Sequence, residues 1–130
     1  MTAVRVVLDT TALLAYAQLK GMATAELVTL VQEEGGEALV GIPAACFMAA
    51  HAQLQPDERE RLIRLATGID GVTVILPLSG ADTVEAAQLR HVMGHAIIET
   101  RRRDSYLATY RPGEALAHLP DTSVLELGDD

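Results

Sequence analysis

The sequence predicts an α/β fold, a three-layer α/β/α sandwich around a mostly parallel sheet of four to five strands. Three observations predict it. Short apolar, β-branched runs recur along the chain: VRVVL, ALVGI, VTVIL and YLAT. Stretches with helical apolar spacing separate them. The 130 residues, 49% of them apolar, supply one core, so residues 1–130 form one domain with the last few frayed.

Taken in order, residues 4–8 (VRVVL) read as a buried strand ended by Asp9. Asp9-Thr10-Thr11 reads as a helix start ahead of ALLAYAQL, and Gly21 breaks that helix. Residues 23–32 place Ala25, Val28 and Val31 on one face, and Glu33-Glu34-Gly35-Gly36 ends them. Residues 38–42 (ALVGI) form a second strand, after which Pro43 is expected to open a helix at its first position.

Pro56-Asp57 starts a further helix with Leu62, Leu65, Ala66 and Ile69 as its buried stripe. Residues 72–76 (VTVIL) are a third strand, and Ser79 caps the helix behind it. Gly94 is expected to separate that helix from another over residues 95–103. Residues 106–109 (YLAT) form a short fourth strand, residues 112–119 a turn or short helix, and residues 123–127 (SVLEL) an edge strand. In sheets of this class, ligands sit outside the carboxyl ends of the strands, where Asp9 and Thr109 fall.

Composition limits function. Aromatics are 3% with no Trp, which leaves few platforms for unpaired bases. A net charge of -8 repels phosphate backbones at long range and suits basic protein partners. The single cysteine, Cys46, excludes an internal disulfide and a multi-cysteine zinc site, and fits a reducing, cytoplasmic setting. No apolar run is long enough to span a membrane, and the start has no leader pattern. No Gly-rich phosphate loop exists. A phosphoacceptor site is set aside too, because no acidic pair follows the first strand and the only lysine is Lys20. His91 and His95 are four apart, a spacing that can hold zinc, but no third ligand accompanies them. Cys46 and Ser79 read as a buried small residue and a cap.

Three segments carry a resemblance. Val6-Val7-Leu8-Asp9-Thr10-Thr11-Ala12-Leu13-Leu14-Ala15 resembles the opening of PIN-domain proteins, many of which are toxin ribonucleases of toxin–antitoxin pairs. Ile42-Pro43-Ala44-Ala45-Cys46 resembles their second strand and next helix, and Leu107-Ala108-Thr109-Tyr110-Arg111-Pro112 their fourth strand and its exit. The resemblance implies a site of three or four acids around Mg²⁺ or Mn²⁺, which would activate water beside a phosphodiester. Carried over by position, the first acid is Asp9, but the others fall on Ala49, on Met93 ahead of Gly94-His95-Ala96, and on Arg111.

One carboxylate holds Mg²⁺ poorly, so the expectation is a degenerate site without a resident metal, lined by Thr10, Thr11, Ala49, Met93, His95, Thr109 and Arg111. The domain would then bind RNA or an antitoxin-like or other protein partner, with homodimers formed through its first two helices. The alternative is an active Mg²⁺- or Mn²⁺-dependent ribonuclease in which Glu99 or Asp104 swings toward Asp9. Arg111 has two readings, pairing with Asp9 or pointing outward while Asp9 caps a helix. Glu99 precedes Arg102 and Arg103 by three and four residues, the spacing of a surface ion pair, and Asp104 reads as loop. Arg101-Arg102-Arg103 reads as a phosphate patch or as cations favoured at a helix C-terminus.

Overall fold

The structure, a computed structural model, describes residues 3–35, 37–68, 71–89 and 93–128. Of the positions singled out above, Gly36, Ile69 and His91 lie outside the described residues.

The chain alternates strands with helices. β1 (Ala3–Leu8) leads through α1 (Thr10–Ala17) and α2 (Ala23–Glu34) to β2 (Ala38–Pro43). Next come α3 (Ala44–Ala52), α4 (Pro56–Ala66) and β3 (Thr73–Leu76). Then α5 (Gly80–Gln88) and α6 (Met93–Arg103) return to β4 (Tyr106–Thr109). α7 (Pro112–Leu116) and a 3₁₀ turn (Asp121–Ser123) lead to β5 (Val124–Glu126).

The five strands form one sheet in the order β3-β2-β1-β4-β5, every pair parallel. The chain steps outward from β1 to β3 and then jumps back to β4 on the far side of β1. With right-handed crossovers this reversal puts α5 and α6 on the face opposite α1–α4. It also opens a crevice at the carboxyl ends of β1 and β4.

Buried Leu8, Leu13, Ile42, Leu62, Ile97 and Leu107 anchor an aliphatic core, as a composition poor in aromatics requires. Among the described residues, no helix is long and apolar enough to cross a membrane.

Two expectations about breakers are corrected. Pro43 is not the first helical residue of α3 but its N-cap, and it also closes β2, pairing with Leu76 at φ -61 and ψ 134. Its fixed φ suits a strand as well as a helix, and its extended ψ keeps it in the sheet. Gly94 does not separate two helices; it lies within α6. A Cβ there would stand 2.4 Å from the Ala86 carbonyl oxygen and 2.8 Å from its Cα. The glycine lets α6 close on the backbone of α5. The last strand is also shorter than residues 123–127, because Ser123 belongs to the 3₁₀ turn.

Candidate functional site

Asp9 emerges from β1 in extended geometry and caps α1. Its Oδ1 accepts from the Ala12 N–H at 3.0 Å and from the Thr11 hydroxyl at 2.6 Å. Its Oδ2 accepts from the Thr109 hydroxyl at 2.5 Å. The two threonines are themselves held by the exit of β4: Tyr110 N–H donates to Thr11 Oγ1 and Arg111 N–H to Thr109 Oγ1, both at 2.9 Å. The carboxylate is therefore a knot joining α1 to β4. Burial pushes its pKa above the ordinary value of 3.8, against the lowering effect of the Thr109, Thr11 and Ala12 hydrogen bonds.

Asp9 forms the floor of an open hollow of about 240 Å³, walled by Thr10, Thr11, Leu14, Gln53, Met93, Arg111 and Glu114. Thr10, Thr11, Met93 and Arg111 thus stand where the sequence places them. Thr109 is fully buried behind Asp9, and Ala49 and His95 are not on the wall. Gln53 and Glu114 are site residues that the sequence reading missed. Gln53 lies one helical turn beyond Ala49, and Glu114 is carried by α7, which Pro112 opens just past Arg111.

Of the ionic contacts expected from the sequence, those of Glu99 with Arg102 and Arg103 form. Arg111 makes no ion pair with Asp9 among the described residues. Glu99 is buried, and its two oxygens are taken by Arg102 at 2.7 Å and Arg103 at 3.1 Å, so it does not turn toward Asp9. Arg102 also grips both oxygens of Asp82 on α5, at 2.7 and 2.8 Å, and holds that carboxyl below the usual range. Arg101 donates to the His118 carbonyl. Arg101 and Arg102 therefore tie α6 to its neighbours, while Arg103 pairs with Glu99 within α6 itself. Asp104 precedes β4 at a left-handed φ of 51 and lies in a hollow with Arg5, Tyr106 and Thr122. That is the amino end of the sheet, opposite Asp9, so it cannot join the hollow.

His95 is completely buried. Its Nδ1 accepts from the Ala45 N–H at the start of α3, and its Nε2 faces the Pro77 carbonyl at the exit of β3, each at 3.3 Å. This pattern fits the neutral ring with the proton on Nε2. Burial lowers its pKa below 6.5, so the folded protein takes up this proton less readily than the unfolded chain. The stability tied to the neutral ring is complete above that unfolded value and is lost as pH falls through it toward the folded one. Urea unfolding at about pH 5 and about pH 7.5 should show a weaker fold in acid. His95→Gln should shrink that difference, and an unchanged difference would contradict this assignment.

Cys46 lies beneath the site, its thiol pushed up to about 12 by burial and by the Asp9 charge, which makes it an inert packing group.

No protein-family model and no curated protein matches the chain. Its shape does have a counterpart. A crystal structure of VapBC2 from Rickettsia felis, bound to a DNA fragment from their promoter, superposes with a TM-score of 0.68 over 96% of this chain and 99% of that one. Sequence identity is 9%, so the likeness is one of fold. The fold is PIN-like.

In a PIN-like frame, the hollow is the place where the resemblance puts Mg²⁺ or Mn²⁺. The donors present fit such an ion poorly. A hard dication wants about six oxygen ligands. Asp9 already accepts from the Thr11 hydroxyl, the Ala12 N–H and the Thr109 hydroxyl, which leaves little of its carboxylate for a cation. Among the described residues, Glu114 is the only other acid on the wall, Met93 offers a thioether, and Arg111 brings positive charge. No cluster of three His, Cys, Asp or Glu suited to a metal occurs among the described residues.

Proposed function

We propose that this PIN-like domain is a binding module that does not cleave RNA, and that its ligand is a basic protein partner of the antitoxin kind. The observation that carries this reading is the hollow itself. Its first acid is tied up as a helix cap, and a guanidinium stands where the resemblance expects a carboxylate. The preference for protein over RNA rests on charge: the chain carries -8, and each residue of its one basic run has a partner within the fold.

A docking face is available on the outer side of α2 and the turn that precedes it. Leu19, Met22 and Leu30 are 67%, 62% and 59% exposed. Met22 and Leu30 border a shallow groove rimmed by Glu26 and Glu33. An apolar segment flanked by basic residues matches that pattern. A homodimer would use the same face but would bring the two acidic rims together. Sedimentation at low and high salt separates the two arrangements: a homodimer through this face should tighten as salt screens the rims.

The second reading is a Mg²⁺- or Mn²⁺-dependent ribonuclease. The observation favouring it is that Asp9 and Glu114 share one hollow. Incubating structured RNA with Mg²⁺ or Mn²⁺ and wild type, Asp9→Asn or Glu114→Gln decides between them. The expected result is equal background in all three. Cleavage by the wild type that both variants lose would establish the enzyme.

A further inference from the structure

We infer that the hollow above Asp9 is a binding site for a small basic α-amino acid of the arginine or lysine type. The inference rests on the reading that no divalent ion fills this space.

Asp9 and Glu114 are carboxylates and Arg111 is a guanidinium. Among the described residues, neither Glu114 nor Arg111 is in an ion pair, although only two residues separate them on one turn of chain. Glu114 and Arg111 therefore face the hollow without an ion-pair partner, and with Asp9 on its floor the three groups carry a formal sum of one negative charge.

A ligand that answers all three carries two cationic groups and one carboxylate. The carboxylate meets the Arg111 fork, the geometry in which guanidinium pairs best. The side-chain cation meets Glu114 at the rim, and the α-amino group meets the edge of the Asp9 carboxylate on the floor. Leu14 and Met93 supply an apolar wall for the methylene stem, and Gln53 offers both a donor and an acceptor. The volume, about 240 Å³, lies below the ~300–1,000 Å³ of sites for drug-sized molecules, so the ligand is small.

Calorimetric titration of L-arginine into the intact domain tests this. The expected result is saturable binding near ~0.1 mM, the scale for about a dozen heavy atoms. Arg111→Gln and Glu114→Gln should each weaken it about tenfold. Both positions are exposed, so the substitutions leave the core intact. Agmatine, which lacks the carboxylate, should bind wild type and Arg111→Gln alike. L-Norleucine, which lacks the side-chain cation, should not distinguish wild type from Glu114→Gln.

No heat with millimolar arginine, or binding that both variants leave unchanged, overturns the inference. So does much tighter binding of a peptide ending in arginine, which would make the site a reader of chain ends. The RNA assay keeps the two readings apart. Cleavage overturns the proposed function, whereas silence in both experiments overturns this inference alone.

Discussion

Asp9→Ala should lower the stability of the domain by about 3 kcal/mol, roughly 10 °C in Tm for a chain of this size. The substitution removes the cap of α1 and strips the Thr11 and Thr109 hydroxyls of their shared acceptor in a buried setting. Losing a cap costs about 1 kcal/mol, and leaving buried donors unmade costs about 1–3 kcal/mol more. Asp9→Asn should cost much less, because the amide oxygen still caps the helix and no charge has to be buried.

The pH dependence of that pair has a definite sign. The folded pKa of Asp9 is raised, so its carboxyl is relatively favourable while protonated and loses that advantage as pH rises through the folded value. The stability of wild type relative to Asp9→Asn should therefore fall with rising pH across that window. An acid held in a cluster of metal ligands behaves oppositely on truncation: like-charge repulsion is relieved and the apoprotein gains stability. Thermal melts without metal separate the two cases, and a more stable Asp9→Ala would contradict the knot described here.

Gly94→Ala should cost about 3 kcal/mol, at the upper end for overpacking. The added methyl would meet three backbone atoms of Ala86, all closer than 3.0 Å. Backbone cannot rotate aside as a flexible side chain can, so α5 and α6 must part. That movement pulls on the bridge from Arg102 to Asp82 and on the helix that carries Met93 and His95. Gly80→Ala is the matched control. It lies at the start of α5 with nothing within 4 Å of its Cβ, so the change should be neutral or stabilising by about 0.5–1 kcal/mol. Equal unfolding midpoints for the two variants would contradict the packing role given to Gly94.

Much of the fold is written locally. The runs VRVVL, ALVGI, VTVIL and YLAT each become a strand because β-branched apolar residues suit a sheet covered on both sides. The strand order is not local. The return across β1 after β3 depends on which helices cover which face, and spacing along the chain carries no record of that. Pro43 and Gly94 mislead for a related reason. Each is compatible with a break, and each is held in a regular element by a partner far away in sequence, Leu76 in one case and Ala86 in the other.

The site divides in the same way. Asp9 followed by two threonines advertises a cap at a strand end, and both that reading and its place in the crevice are visible in the sequence. The i+3 and i+4 spacing shows that Glu99 meets Arg102 and Arg103. It cannot show that Asp82, from another helix, completes the cluster through Arg102. Glu114 is hidden because its place depends on how α7 folds back past the exit of β4.

On the proposed reading, the carboxylate of Asp9 serves the fold and gathers no divalent cation. Calorimetric titration of the purified domain with Mn²⁺ tests it most directly. The expected result is no saturable heat up to millimolar Mn²⁺, with identical traces for wild type and Asp9→Asn. Micromolar binding by wild type that disappears in Asp9→Asn would contradict the claim.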